Sequence, residues 1–423
     1  RSTNKTRSMN VILIILLAVM LITDWPLIAN VGNFPEGTRH LALFASFFIL
    51  ALLSRRKLLP KTYSIICMIM LFWALLGVSQ AQNGMNAYLL GLMFTYFFAL
   101  VHVMGYMYVG KNADILVYLK YFVFIVFFLS LPPFFTGLVT GTNLRWLPGI
   151  FRELGAFAAM MNIALIASIT LFAVTKKNMY VYLVIFFMVC ISMTVLKKSI
   201  VEFLVIVMFA GLFLTKKGFK ERSKYFSGLA FLVLAIGFVL FSEFQDNLVE
   251  NADYLGRVGA EGHVRLGMYL AGYSIALDNF PFGSGYGSFG SLASISFEYS
   301  PVYFNYGIDV IGANSPQDVA NGHHTLLDTF WPHILGEAGF IGSLIYIIIY
   351  VFPMIKSYRL IGCIELNRPY AFFIISTLGI ICLDGLALYS PEVPIFIMLG
   401  PGLCGIILRR MKENLRYEES KLQ

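Results

Sequence analysis

Residues 178–217 read NMYVYLVIFFMVCISMTVLKKSIVEFLVIVMFAGLFLTKK. Two apolar runs, 178–196 and 199–215, are separated only by a short turn holding Lys197 and Lys198, and Lys216 and Lys217 close the second. A helix needs about 20 apolar residues to cross the hydrocarbon core of a bilayer. Each run approaches that length, so the stretch predicts two membrane spans joined by a tight turn. Comparable runs lie near 9–29, 39–54, 62–80, 86–109, 115–137 and 154–174 on one side, and near 225–242, 334–353, 369–389 and 393–408 on the other. The expected fold class is an all-α polytopic membrane protein with about twelve transmembrane helices. Composition agrees, since the 423 residues are 58% hydrophobic and 13% charged, where a soluble chain carries about 25% charged residues.

The basic residues test this count independently, because cytoplasmic loops carry the excess of Lys and Arg. With the N-terminus inside, alternate connections hold Arg55, Arg56, Lys57 and Lys61, then Lys111, then Lys176 and Lys177. Lys216, Lys217, Lys220, Arg222 and Lys224 follow, then Lys356, Arg359 and Arg368, and the tail adds Arg409, Arg410, Lys412, Arg416 and Lys421. Together with Arg1, Lys5 and Arg7, about 23 of the 31 basic residues fall on one side. Both termini are expected to be cytoplasmic. The net charge of +8 is thus a topology signal, and nucleic acid is excluded as a partner. No cleavable signal peptide is expected, with Met9 nearer a native start. Cys67, Cys190, Cys363, Cys382 and Cys404 lie in or beside apolar runs without a CxxC pair, so neither a disulfide framework nor a metal site is expected.

The organisation that follows is a bundle of about nine spans over 1–242, a large outward loop over 243–333, and about three helices with a cytoplasmic tail over 334–423. The long part of the loop, 243–322, holds nine acids against Arg257 and Arg265. A loop this long in a compact protein is usually functional. Within it, 263–278 places apolar residues at helical spacing, which predicts a helix on the membrane surface or packed on the bundle.

Charges that interrupt apolar spans are functional candidates. Arg145, Arg152 and Glu153 stand together at the outer start of a span, and Lys197 and Lys198 occupy an outward turn. Basic residues there run against the topology. They form either an anion site suited to phosphate or an interfacial salt bridge, for instance with Glu202. The run 283–290 contains GYGSFG, but no βαβ unit surrounds it, so a dinucleotide site is excluded. Gly283, Gly285 and Gly287, with Tyr286, instead predict a tight turn that brings backbone close to a ligand or to another helix. Residues 323–342 bring His323, His324, Asp328, His333 and Glu337 into the start of a span, where His323, His324 or Asp328 could take a proton. Lys120 is expected to snorkel from its span toward the inner face.

Three blocks together resemble the bacterial O-antigen ligase and polysaccharide polymerase superfamily, the Wzy/WaaL-like proteins. RWLPGIFRELGAFA resembles the family's Arg-containing span start, with Leu154 where Pro is common. RLGMYLAGYSIALDNFPFGSGYGSFG resembles its loop block, with Phe280 before Pro281. The third block ends E-x-G-x-x-G, here Glu337, Gly339 and Gly342, and the family's polar residue nine positions earlier is Asp328. The resemblance covers about 140–345 and implies a GT-C-like, metal-independent glycosyltransferase that needs no cofactor. The implied donor is a glycan on undecaprenyl diphosphate, presented at the outer face of the bacterial plasma membrane. The implied acceptor is a glycan or a lipid-linked glycan, with a chain-length regulator protein as a further partner. Arg145, Arg152, Lys197, Lys198 and Arg265 would hold the diphosphate. Arg265, Asp328, His323, His324, Arg152 and Glu153 would serve catalysis. Polymerisation of repeat units is the first reading and ligation of finished glycan to lipid A–core the second. A flippase of lipid-linked oligosaccharide is the rival class; it would show internal repeats, and none is evident.

Overall fold

The computed structural model describes residues 61–107, 115–140, 154–194, 196–214, 264–321, 325–327, 329–361, 365–386 and 398–422. Helices account for the regular structure among them. In chain order they are α1 (Lys61–Leu76), α2 (Gly84–Met107), α3 (Ile115–Thr140), α4 (Leu154–Thr175), α5 (Met179–Thr194) and α6 (Lys197–Leu214). Then come α7 (Val264–Asp278) and the short α8 (Ala293–Ser296), α9 (Pro301–Asn305) and α10 (Pro316–Ala320). The chain ends with α11 (Trp331–Ile361), α12 (Arg368–Asp384) and α13 (Leu403–Leu422). The apolar runs expected at 9–29, 39–54 and 225–242 lie outside the described residues.

Among the described residues, five helices are long and apolar enough to cross a membrane: Gly84–Met107, Ile115–Val139, Phe157–Thr175, Trp331–Ile361 and Glu365–Asp384. Their faces divide as lipid and protein contact require. α4 is the axis of the bundle. It packs on α3, α5, α6 and α12, and Phe157 through Ala167 lie essentially without exposure. A helix that is apolar all round belongs in such an interior. At the periphery Phe72 and Phe128 are 61% and 62% exposed. Apolar faces of that extent suit lipid and would aggregate in water. Where α2 crosses α13 and the turn just before it, Met398–Gly402, the backbones touch. A Cβ on Gly105 would lie 2.3 Å from Gly402 O, and one on Gly405 would lie 2.3 Å from His102 O. Small residues permit this approach between membrane helices.

Residues 264–321, together with Leu326, form a second, smaller unit against the bundle. Val264, Met268, Ile275, Phe289, Val302, Tyr303, Ile308 and Leu326 make its core, and α7 packs along α11. The predicted helix over 263–278 is therefore α7, in its bundle-packed form. Local chemistry fixes the short helices. Ser300 caps α9 ahead of Pro301, and Ser315 forms a capping box with Asp318 ahead of Pro316. Caps of this kind satisfy the first N–H groups of a helix, and Pro is pre-shaped for its first turn. One of the loop's nine acids, Asp318, is thereby committed to structure.

Candidate functional site

α11 breaks at Gly339, whose φ of 68° and ψ of −177° leave the helical region. A break frees carbonyls that must find other donors in an apolar setting. The Gly-rich loop and α1 supply them. Ser284 N donates to Gly336 O at 2.9 Å, Gly285 N donates to Glu337 O at 3.1 Å, and Trp73 Nε1 donates to Ala338 O at 3.2 Å. The Glu337 side chain reaches back to the same loop. Its Oε1 accepts from Phe289 N at 3.0 Å and from Ser291 Oγ at 2.6 Å. Gly342 leaves room for the Trp73 ring, which a Cβ would meet at 2.6 Å. The Glu337, Gly339 and Gly342 pattern is thus one half of a joint whose other half is the loop.

Gly283, Gly285 and Gly287 bring this loop close to backbone of neighbouring elements. Each lies against protein backbone: a Cβ would meet Gly336 O at 2.3 Å, Gln80 O at 2.2 Å and Ala87 O at 2.0 Å, respectively. The loop approaches helices rather than an open cleft. Tyr286 is packed among aromatic side chains of α2. It is 4% exposed, its hydroxyl pairs with that of Tyr96 at 2.8 Å, and Tyr88 and Tyr96 meet its ring edge-on. Tyr96 Oη donates onward to Met70 O at 3.0 Å. Tyr286 is therefore the peg that seats the loop between α1 and α2.

The charged residues lie elsewhere. At the start of α6, Lys198 Nζ donates to Asp384 Oδ1 at the end of α12. Lys198 is 24% exposed and Asp384 only 1%, so the cation is fixed from within yet open to one side. One turn further, Glu202 is buried and Asn162 Nδ2 of α4 donates to its Oε2 at 2.7 Å. Glu202 also interacts electrostatically with Asp384 and Lys198. The expected salt bridge between the Lys197–Lys198 turn and Glu202 is therefore replaced as the direct pair by Lys198 and Asp384. Asp384 and Asn162 were not anticipated. Asp384 carried a usable signal, an acid inside the run 369–389.

Arg265 comes to the same end of the bundle. It is exposed at the start of α7 and acts on Tyr269, one turn on. Tyr269 Oη donates to Leu386 O at 3.1 Å, two residues beyond Asp384. Burial pushes the Tyr269 phenol up to about 12, and the Arg265 charge works against that rise. The start of α11 anchors there too. Phe330 N donates to Gly385 O at 3.0 Å and Trp331 Nε1 donates to Cys382 O at 2.9 Å. His333 is fully buried, edge-on to the Phe330 ring and within electrostatic reach of Glu337. Two of the predicted cations, Lys198 and Arg265, are thus gathered around the C-terminal end of α12. The α6 backbone holds Lys197 beside Lys198. Arg145, Arg152, Glu153, His323, His324 and Asp328 lie outside the described residues. Lys120 is exposed on α3.

Two cations at one end of a bundle, one paired with a buried carboxylate and one exposed, can hold an anionic group and stabilise negative charge that develops on it. Scanned against models of known protein families, the chain matches none, and no curated protein matches it.

Proposed function

We propose that this chain is a membrane glycosyltransferase that takes glycan from undecaprenyl diphosphate at the outer face of the bacterial plasma membrane and polymerises repeat units. In this reading the bundle has about twelve spans with both termini cytoplasmic, and 243–333 faces outward. The observation that carries it is the gathering of Lys198 and Arg265 at one end of an apolar bundle, next to the segment that leads into α11.

The chemistry needs two things. A hydroxyl of the acceptor attacks the anomeric carbon of the donor, the bond from that carbon to the diphosphate oxygen breaks, and the lipid diphosphate leaves with the electron pair. Fixed cations stabilise that developing charge most when they are held in place beforehand. Lys198, oriented by Asp384, meets this need, and Arg265, Lys197, Arg145 and Arg152 extend the cationic surface. The hydroxyl proton passes to Asp328, His323 or His324. Glu153 neighbours Arg152 in sequence and would orient it. The diphosphate bond supplies the driving force, so no nucleotide is consumed.

The purified protein, reconstituted in liposomes with lipid-linked repeat units and no nucleotide, lengthens the glycan on a gel. Unchanged glycan length while labelled lipid crosses the bilayer would replace this reading with a flippase. Transfer to lipid A–core but not to a second repeat unit would make the protein a ligase.

A further inference from the structure

The opposite end of the bundle carries another convergence of cations. α11 starts beside Cys382, where the Trp331 indole is bonded, and runs past Lys356 to Ile361. The stretch from Trp331 to Lys356, at about 1.5 Å per residue and shortened by the Gly339 kink, is long enough to cross the ~30 Å hydrocarbon core.

At that far end Lys356 Nζ stands 5.0 Å from the Tyr106 ring centroid and 5.3 Å from that of Phe352. Arg409 Cζ stands 5.7 Å from the same Tyr106 ring. Arg409 and Lys412 both act electrostatically on Lys356. Lys356 of α11 and Arg409 of α13 therefore meet around one ring of α2, with Lys412 within electrostatic reach of Lys356. Cation–π attraction offsets part of their repulsion. Glu413 takes only the Nε edge of Arg409, at 3.3 Å. The Arg409 side chain is 11% exposed, and its Nη2 is buried with no hydrogen-bond partner among the described residues. A buried guanidinium N–H without an acceptor is costly. A tetrahedral anion answers both problems, since guanidinium N–H groups and ammoniums share its several oxygens.

We infer that Lys356 and Arg409, set against the Tyr106 ring, form together with Lys412 a binding site for a phosphate group. Basic pockets between membrane helices at the bilayer surface bind lipid head groups in this way. A phospholipid head group and a soluble phosphate present the same chemistry, and the test separates them. The inference does not depend on glycan transfer, because the site lies at the other end of the bundle from Lys198.

The full-length protein in neutral detergent is titrated with phosphatidylglycerol, with phosphate-free diacylglycerol and with inorganic phosphate. Bound lipid is counted by native mass spectrometry, and melting is followed in parallel. The wild type is compared with Arg409→Gln and with Lys412→Gln. Lys412 is partly exposed, so its loss leaves the packing intact if the Arg409 variant fails to fold. Phosphatidylglycerol is expected to be retained over diacylglycerol, and its Kd to rise about fivefold in each variant. Melting raised by inorganic phosphate alone, with the same loss in the variants, assigns the site to a soluble phosphate. The inference is overturned if phosphatidylglycerol and diacylglycerol are held alike while phosphate has no effect. It is also overturned if both variants bind as the wild type does.

Discussion

Lys198 and Asp384 lend themselves to a double-mutant cycle. The pair joins α6 to α12, with Asp384 almost fully buried and Lys198 about three-quarters so. Removing one partner of a buried pair leaves an uncompensated charge, at about 3–5 kcal/mol when both are fully buried. The partial exposure of Lys198 reduces this, because its ammonium can turn toward water. Glu202 also remains near Lys198 as a second carboxylate. Asp384→Leu is therefore expected to cost about 2–3 kcal/mol. Lys198→Met is expected to cost about 3–4 kcal/mol, since it strands both buried carboxylates. The double variant should cost less than the sum by at least about 1 kcal/mol, as coupled neighbours do. Reversible unfolding in mixed detergent micelles measures all four corners. Additivity within about 0.3 kcal/mol would show that the two side chains do not sense each other, and the account of Lys198 as a held cation would fail.

Other consequences follow from single positions. Gly287→Ala places a Cβ 2.0 Å from Ala87 O at a φ of +74°, and should cost more than about 3 kcal/mol or abolish folding. Gly307→Ala, at a φ of +64° in open space, should cost only about 1 kcal/mol in the same melting assay. Glu337→Gln weakens the acceptor for Phe289 N and Ser291 Oγ and should cost about 1.5–3 kcal/mol, read by denaturant unfolding. Tyr303 Oη accepts from Gly290 N at 2.8 Å and pairs with Ser294 Oγ at 2.6 Å, and burial raises its phenol above the usual range. Its neutral form is the folded one. That stability is complete below the unfolded pKa near 10 and is lost as pH climbs toward the raised folded value. Tyr303→Phe should flatten the alkaline limb of a stability–pH curve.

Hydropathy located the helices that the structure describes closely. The run 86–109 became Gly84–Met107, 115–137 became Ile115–Thr140, and 178–196 became Met179–Thr194. The period and length of an apolar helix are local properties, so a window of sequence holds them. The C-terminal helix was less legible. A span over 393–408 was expected, but a π turn at Met398–Gly402 leads into a helix that continues to Leu422. Pairs such as Arg409 with Glu413 and Lys421 with Glu418 support that extension. The site was legible in residue type rather than in partnership. Lys198 stood out as an outward cation, but its partner Asp384 lies 186 positions away, and one acid barely lowers the mean of an apolar window. The loop glycines were visible as a turn. What they touch depends on a helix break about fifty residues later, which no local pattern specifies.

The rate of glycan transfer by Arg265→Ala in proteoliposomes, at protein incorporation matched to wild type, tests the central claim most directly. Loss of one prearranged stabiliser of leaving-group charge costs about 10²- to 10³-fold in rate. The account predicts a fall of that size with unfolding unchanged, because Arg265 is exposed on α7. Transfer within about twofold of wild type would contradict it and remove Arg265 from the site.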